Sequence, residues 1–310
     1  MKSTIVFSIL FSTYCLRAQQ VFLPKEIVIG ELAVATIQLK GYPDFLVADN
    51  DGVWVTNEGR IEKLQHEKNI PVLSVKMPQP CGIMAVGFGS LWVVSCGRKA
   101  VYRIDLKSGS IQSVIDTGIA DPDGELSLAV GAGSVWLLTN RVGELSRIDP
   151  ANNKVAGRII VEPNSFVVAF GYGALWITNT QNSSVQRIDP KTEKIVATIK
   201  VGKGPRFLTS GLGAIWTLNQ DDGTVSKIDP STNIVSTIEA AAIGTGGDIT
   251  AGQKYLYIRA KNILLSVIDP QANKVISRFG PPAGSGAVCV ENGRVWVTAH
   301  DVNTIWILKE

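Results

Sequence analysis

Apolar and polar residues alternate along most of this chain in short runs, each closed by Gly, Asn or Asp-Pro. Between Ser165 and Val201 four such runs follow one another: Phe166 to Phe170, Ala174 to Asn179, Ser184 to Ile188 and Lys194 to Val201. A period of two puts successive side chains on opposite faces, so each run predicts a strand. The Gly-Tyr-Gly, Thr-Gln-Asn and Asp-Pro-Lys-Thr stretches between them predict tight turns, and the whole predicts an antiparallel four-stranded sheet.

The same unit recurs. Asp51-Gly52-Val53-Trp54, Gly89-Ser90-Leu91-Trp92, Gly133-Ser134-Val135-Trp136, Gly173-Ala174-Leu175-Trp176, Gly213-Ala214-Ile215-Trp216, Lys254-Tyr255-Leu256-Tyr257 and Gly293-Arg294-Val295-Trp296 mark seven units of roughly forty residues. A second landmark keeps register about a dozen residues later: Arg103-Ile104-Asp105, Arg147-Ile148-Asp149-Pro150, Arg187-Ile188-Asp189-Pro190, Lys227-Ile228-Asp229-Pro230 and Val267-Ile268-Asp269-Pro270. A four-stranded sheet cannot bury both of its faces alone. Radial stacking buries them and leaves only short, protected edges, so the expected fold is an all-β, seven-bladed β-propeller of four-stranded antiparallel blades.

Closure of the ring is also expected from the pattern. The seventh unit stops at Glu310, where other units turn into a fourth strand, while Val34-Ala35-Thr36-Ile37-Gln38-Leu39 matches Val196-Ala197-Thr198-Ile199-Lys200-Val201. The N-terminal strand should therefore complete the last blade.

Composition agrees with many short strands: 30 Gly, 14 Pro, 45% apolar and only 18% charged residues. Residues 1–18 read differently. Lys2, the apolar run Ile5 to Phe11 and Leu16-Arg17-Ala18 form a secretory signal, leaving residues 19–310 as one exported domain, periplasmic or extracellular. Removing Lys2 and Arg17 leaves 28 basic against 27 acidic residues, so the nominal charge of +3 falls to +1. No Lys/Arg cluster remains to neutralise phosphates, so no nucleic-acid partner is expected. After signal removal no membrane span and a monomeric state are expected.

At units such as Ala174-Leu175-Trp176-Ile177-Thr178-Asn179 through Lys194-Ile195-Val196-Ala197-Thr198-Ile199, the chain resembles the exported bacterial propellers with YVTN-type repeats. The resemblance implies architecture and, for the wider group, binding modules. More distantly it resembles the streptogramin B lyases, seven-bladed propellers that open a cyclic depsipeptide by metal-assisted elimination. Their repeats read Trp-Phe-Thr-Glu and Gly-Arg-Ile-Thr, with Pro-His-Gly or Pro-His-Ala in late inner strands. Here those stretches are Trp176-Ile177-Thr178-Asn179, Gln186-Arg187-Ile188-Asp189, Gly246-Gly247-Asp248 and Ser285-Gly286-Ala287, without the histidine.

Residues that recur in every unit are scaffold, so the Trp and Arg-Ile-Asp-Pro series are set aside. Chemistry must rest on the loops that surround the channel, whose polar residues include Asp44, Glu58, Arg98, Asp121, Asp123, Glu125, Arg141, Asn179, Arg206, Asp248, Arg259, His300 and Asp301. Ten places before each aromatic lies the start of the innermost strand: Asp44, Gly82, Leu126, Phe166, Arg206, Gly247 and Gly286. Only Asp44 and Arg206 are charged, and they would line opposite sides of the channel mouth, with Asp248 one position further along. His300 beside Asp301 suits acid/base or metal chemistry, while His66 falls in a poorly matched segment. The ligand-binding candidates are thus Asp44, Arg206, Asp248, His300 and Asp301. No HExxH, GxSxG, P-loop or CxxC pattern occurs.

In the hairpin about Phe88-Gly89, paired residue numbers sum to 177, which sets Cys81 opposite Cys96 and, in an exported protein, predicts a disulfide. Cys289 reads as a small buried thiol. Three functions remain. The leading one is an exported, non-catalytic binding module taking a small molecule, peptide, glycan or protein on the channel face, with no cofactor. The alternative is a metal-assisted lyase or hydrolase using His300 and a divalent ion such as Mg or Ca. A redox propeller comes third, without a visible haem or metal signature.

Overall fold

The computed structural model describes residues 23–65, 67–68, 70–118, 125–139 and 142–310. The signal segment, His66, Asp121, Asp123 and Arg141 lie outside these residues.

The protein is an all-β propeller of four-stranded antiparallel blades. In the Trp176 unit the strands are Ser165–Gly171, Ala174–Asn179, Ser184–Asp189 and Lys194–Lys200, paired in sequence order from the channel outward. The innermost hairpins turn through residue pairs such as Tyr172-Gly173 and Asn292-Gly293, both members at positive φ. That is the type I′ geometry whose twist matches the flanking strands, and glycine takes its second position without strain.

Each unit's Trp is fully buried. The indole N–H of Trp92, Trp136, Trp176 and Trp216 donates to the carbonyl of a glycine that ends the inner strand, at 2.9–3.0 Å. Those glycines let the next unit approach: a Cβ on Gly131 would run into the Phe170 ring. The Arg or Lys of the second landmark lies over the indole 4.9–5.1 Å from its centroid in the Trp92, Trp176 and Trp216 units, and Lys63 takes the same place over Trp54 at 5.7 Å. The landmark aspartate closes the turn, as when Asp229 accepts the backbone N–H groups of Ser231 and Thr232. Both series are scaffold.

Hydrogen bonding divides the strands into six sheets. Five correspond to one unit each, and the sixth joins the Trp92 and Trp136 units into eight strands. The join is at the inner strands, where Ser127 pairs in parallel with Ile83 and the Ile83 N–H donates to the Leu126 carbonyl at 2.8 Å. Gly82 permits it, since a Cβ there would collide with the Leu126 carbonyl oxygen. Two units expected to be separate sheets are thereby stitched at one point.

The N-terminal strand Ala35–Gln38 pairs antiparallel with Thr304–Lys309 and completes the last sheet, with Ile37 buried at 1% exposure. A second closure was not legible in the repeat. Glu26–Val28 runs parallel to Lys274–Gly280 and adds a fifth strand to the Tyr257 sheet. The Glu310 side-chain carboxylate also accepts the backbone N–H of Gln253 in that unit at 2.6 Å. No described helix is long and apolar enough to cross a membrane.

Cys81 and Cys96 form a disulfide, Cα atoms 6.0 Å apart. Their strands are not in the simple register, however. The sum rule holds at Ala85 with Trp92, Val86 with Leu91 and Gly87 with Ser90, then an irregularity at the Gly82 join sets Cys81 opposite Val94.

Candidate functional site

The innermost strands converge on a central channel that encloses a cavity of about 350 Å³. Its wall mixes apolar side chains such as Val47, Val168 and Phe170 with the hydroxyls of Thr209, Ser210 and Thr250, and Asp248 is the one charged residue among the described residues that line it. Cys289 is a buried free thiol whose pKa burial pushes up. Beside the channel a second cavity, about 550 Å³, opens between the Trp54 and Trp92 units. Tyr42, Phe45, Pro80 and the Cys81–Cys96 disulfide form its apolar sides, and Asp44, Glu58 and Glu125 its acidic ones.

Asp44 and Arg206 hold equivalent places just before or at the start of an inner strand. The preceding unit fixes each backbone in the same way: the Thr298 hydroxyl donates to the Asp44 carbonyl at 2.8 Å, and the Thr178 hydroxyl to the Arg206 carbonyl at 3.1 Å. Asn57 holds the loop leading into Asp44. Its side chain accepts from the Tyr42 N–H at 2.5 Å and donates to the Lys40 carbonyl at 3.0 Å. Asn179, on the same rim, is fully buried and does similar work by donating to the Pro163 carbonyl, so it is structural rather than a solvated rim residue.

The Asp44 carboxylate makes no hydrogen bond or ion pair to any described residue. Burial, followed by the charges of Glu125 and Asp248, lifts its pKa from 3.8 to about 7. Glu125 is likewise without a direct partner among the described residues, and burial raises its pKa against the opposing pull of Arg206. Asp248 joins two units, accepting the N–H of Ile249 at 2.8 Å and of Val288 at 3.2 Å. Desolvation outweighs those bonds and raises its pKa to about 7.

Arg259 falls among the loop-face residues in the sequence, yet it is completely buried. It donates to the carbonyls of Thr298, Ala260 and Ile263 at 3.0–3.1 Å. Burial lowers its pKa to about 10, against the attraction of Asp301 and Asp44. The guanidinium thus ties the Tyr257 unit to the strand that ends at Ala299, immediately before His300.

His300 opens a short 3-10 turn, His300–Val302, and is 9% exposed. Its ring stacks on Tyr42 with centroids 4.1 Å apart. Nδ1 lies 2.6 Å from Asp301 Oδ1, a close approach without aligned hydrogen-bond geometry that becomes an ion pair only when the imidazole is protonated. Burial lowers the imidazole pKa more than Asp301 raises it. The stack spans the ring closure, because Tyr42 follows the N-terminal strand and His300 lies in the last unit.

Asp44, Asp248, His300 and Asp301 therefore gather at one end of the channel, and Arg206, near the start of its own inner strand, acts electrostatically on Glu125. Glu125 and Tyr42 complete the group. No group of three or more His, Cys, Asp or Glu residues arranged to hold a metal ion occurs among the described residues.

Neither a family model nor a curated protein sequence matches the chain. Solved structures do. The selenomethionine-substituted virginiamycin B lyase from Staphylococcus aureus is similar with a TM-score of 0.75 at 18% identity, covering 89% of this chain and 98% of that one. A catalytically inactive virginiamycin B lyase from the same organism, solved with quinupristin, gives 0.76 at 17% identity, with 89% and 98% covered. The Neurospora crassa Pan2 WD40 domain gives 0.70 at 12% identity, covering 87% of this chain and 89% of that one. What these share with the chain is the β-propeller fold.

Proposed function

We propose that this protein is an exported, non-catalytic binding module that takes a small polar ligand at the channel mouth. The eight-stranded sheet counts as two blades in this reading, giving a seven-bladed ring whose seven inner strands surround the channel.

One observation carries the proposal. Two carboxylates without partners among the described residues, Asp44 and Glu125, border a cavity of about 550 Å³ with an aromatic and disulfide wall. A desolvated carboxylate without a direct partner among the described residues costs stability, and an incoming cation relieves that cost. The favoured ligand therefore carries an ammonium or similar donor and an apolar body. Catalysis has less support, since His300 makes no hydrogen bond to a described nucleophile.

The test is calorimetric titration with phenethylamine at pH 8, as an ammonium on an aromatic body. A single site weakened at least several-fold in Asp44→Asn is expected, and absence of binding would overturn the proposal. Incubation with quinupristin and Mg²⁺, followed by mass spectrometry, addresses the metal-assisted lyase. Intact quinupristin is expected, and a linearised product would establish the lyase instead.

A further inference from the structure

Arg206 is the residue at the mouth that the binding of a simple amine leaves unexplained. It stands on the strand Pro205–Gly211, with its guanidinium carbon 4.1 Å from the centroid of the Phe166 ring. Phe166 is itself buried and braced edge-on by Phe207, ring centroids 5.6 Å apart, so the face beneath the guanidinium is fixed. Stacking orients an arginine without consuming its hydrogen-bond donors.

None of those donors is consumed by a described residue. Arg206 makes no hydrogen bond or ion pair with one, and its Nε is shielded from solvent as well as unpaired. Three other arginines of the molecule have their donors engaged, whereas Arg278 shares a shielded, unpartnered Nε but lies in an outer strand, away from the channel. Arg103 reaches Ser90 Oγ and the Pro150 carbonyl, Arg147 pairs with Glu193 at 2.7 Å, and Arg259 is held by backbone carbonyls. An arginine that is oriented, partly desolvated and unpaired among the described residues is built to receive a planar anion through its fork of N–H groups.

Arg206 acts electrostatically on Glu125, whose ionised form it stabilises without a direct contact. Glu125 also lines the side cavity. Opposite charges that act on one another without direct contact suit a ligand that carries both charges.

We infer that the channel mouth recognises a zwitterion of the peptide type, whose carboxylate binds Arg206 and whose ammonium binds Asp44 and Glu125, with an apolar side chain in the adjoining cavity. This inference rests on the mouth being the binding site. It adds a requirement that an amine alone does not have: the carboxylate end.

The probes are the tripeptide Phe-Gly-Gly and its C-terminal amide, titrated into the unmodified protein by calorimetry beside phenethylamine. The free acid is expected to bind at least about ten-fold more tightly than the amide, the effect of losing one charge-assisted contact. In Arg206→Gln the acid and the amide should become equal, while Lys203→Gln on the exposed rim leaves the preference intact. Equal binding of acid and amide to the unmodified protein would overturn the inference, and needs no variant to fold. If phenethylamine binds while the tripeptide acid shows no advantage, the zwitterion fails and the amine-binding mouth stands. If neither probe binds, both fail.

Discussion

Replacing Asp248 with Asn should flatten the dependence of stability on pH, because this carboxylate binds its proton more tightly in the folded protein than in the unfolded chain. Its pKa rises from 3.8 to about 7, a difference on the order of 4 kcal/mol. A raised carboxylate pKa contributes stability that is fully present below pH 4 and is lost as pH climbs towards 7. Between pH 5 and 7 the wild type should lose about 2–3 kcal/mol through this one group. Asp44 contributes a slope of the same sign to both proteins, smaller in the variant because the Asp248 charge that helps raise its pKa is gone, so the difference between them reports Asp248 together with its coupling to Asp44. The substitution also has a cost. Asp248 accepts two backbone N–H groups, and an asparagine offers one oxygen, which leaves one donor facing an amide at about 1–3 kcal/mol. The Asp248→Asn variant is therefore expected to be the less stable protein at pH 5 and to draw level with or pass the wild type by pH 8. Urea denaturation at half-unit steps from pH 5 to 8.5 measures both curves. Parallel curves would refute the assignment, since they would mean that Asp248 titrates alike in the folded and unfolded states.

Other consequences follow from the same geometry. The affinity for phenethylamine should rise between pH 5.5 and 8, because Asp44 must ionise, with its pKa near 7, to meet the ammonium; calorimetry across that range showing no change would contradict the role of Asp44. The His300 imidazole should titrate below its ordinary 6.5 in an NMR experiment, and a midpoint above that value would mean that Asp301 outweighs burial. Ile37→Ala should reduce stability by about 2–4 kcal/mol in chemical denaturation, since the side chain is 1% exposed in the strand that closes the ring. The double substitution Cys81→Ser with Cys96→Ser opens a link of 15 residues and should cost about 3 kcal/mol by the same assay.

The architecture was legible because the scaffold repeats. Six Trp and one Tyr, five of them followed in register by the same turn, imply the same buried side chain in unit after unit. The N-terminal closure was legible for the same reason, as Ala35 to Gln38 carries the sequence of an outer strand. What escaped were features outside the repeat. Glu26–Val28 is three residues long and pairs in parallel, so no alternation announces it. The join of two sheets depends on Gly82, whose closeness to Leu126 is a tertiary fact, and the same join displaced Cys81 from the register its hairpin predicts. At the site, departure from the repeat selected Asp44, Arg206 and Asp248, which the fold brings to one end of the channel. It could not distinguish Arg259, buried and bonded to carbonyls, from a rim arginine, because composition carries no depth. Tyr42 precedes the first inner strand, and only the closed ring brings it onto His300.

The central claim is that the channel mouth is where this propeller binds. A crystal structure of the protein grown with phenethylamine at pH 8 tests it most directly. The account predicts the ammonium within hydrogen-bond distance of Asp44 or Glu125, and the phenyl ring against Tyr42 and the Cys81–Cys96 disulfide. An occupied site on the opposite end of the channel or the outer strands, with the mouth holding only solvent, would contradict it.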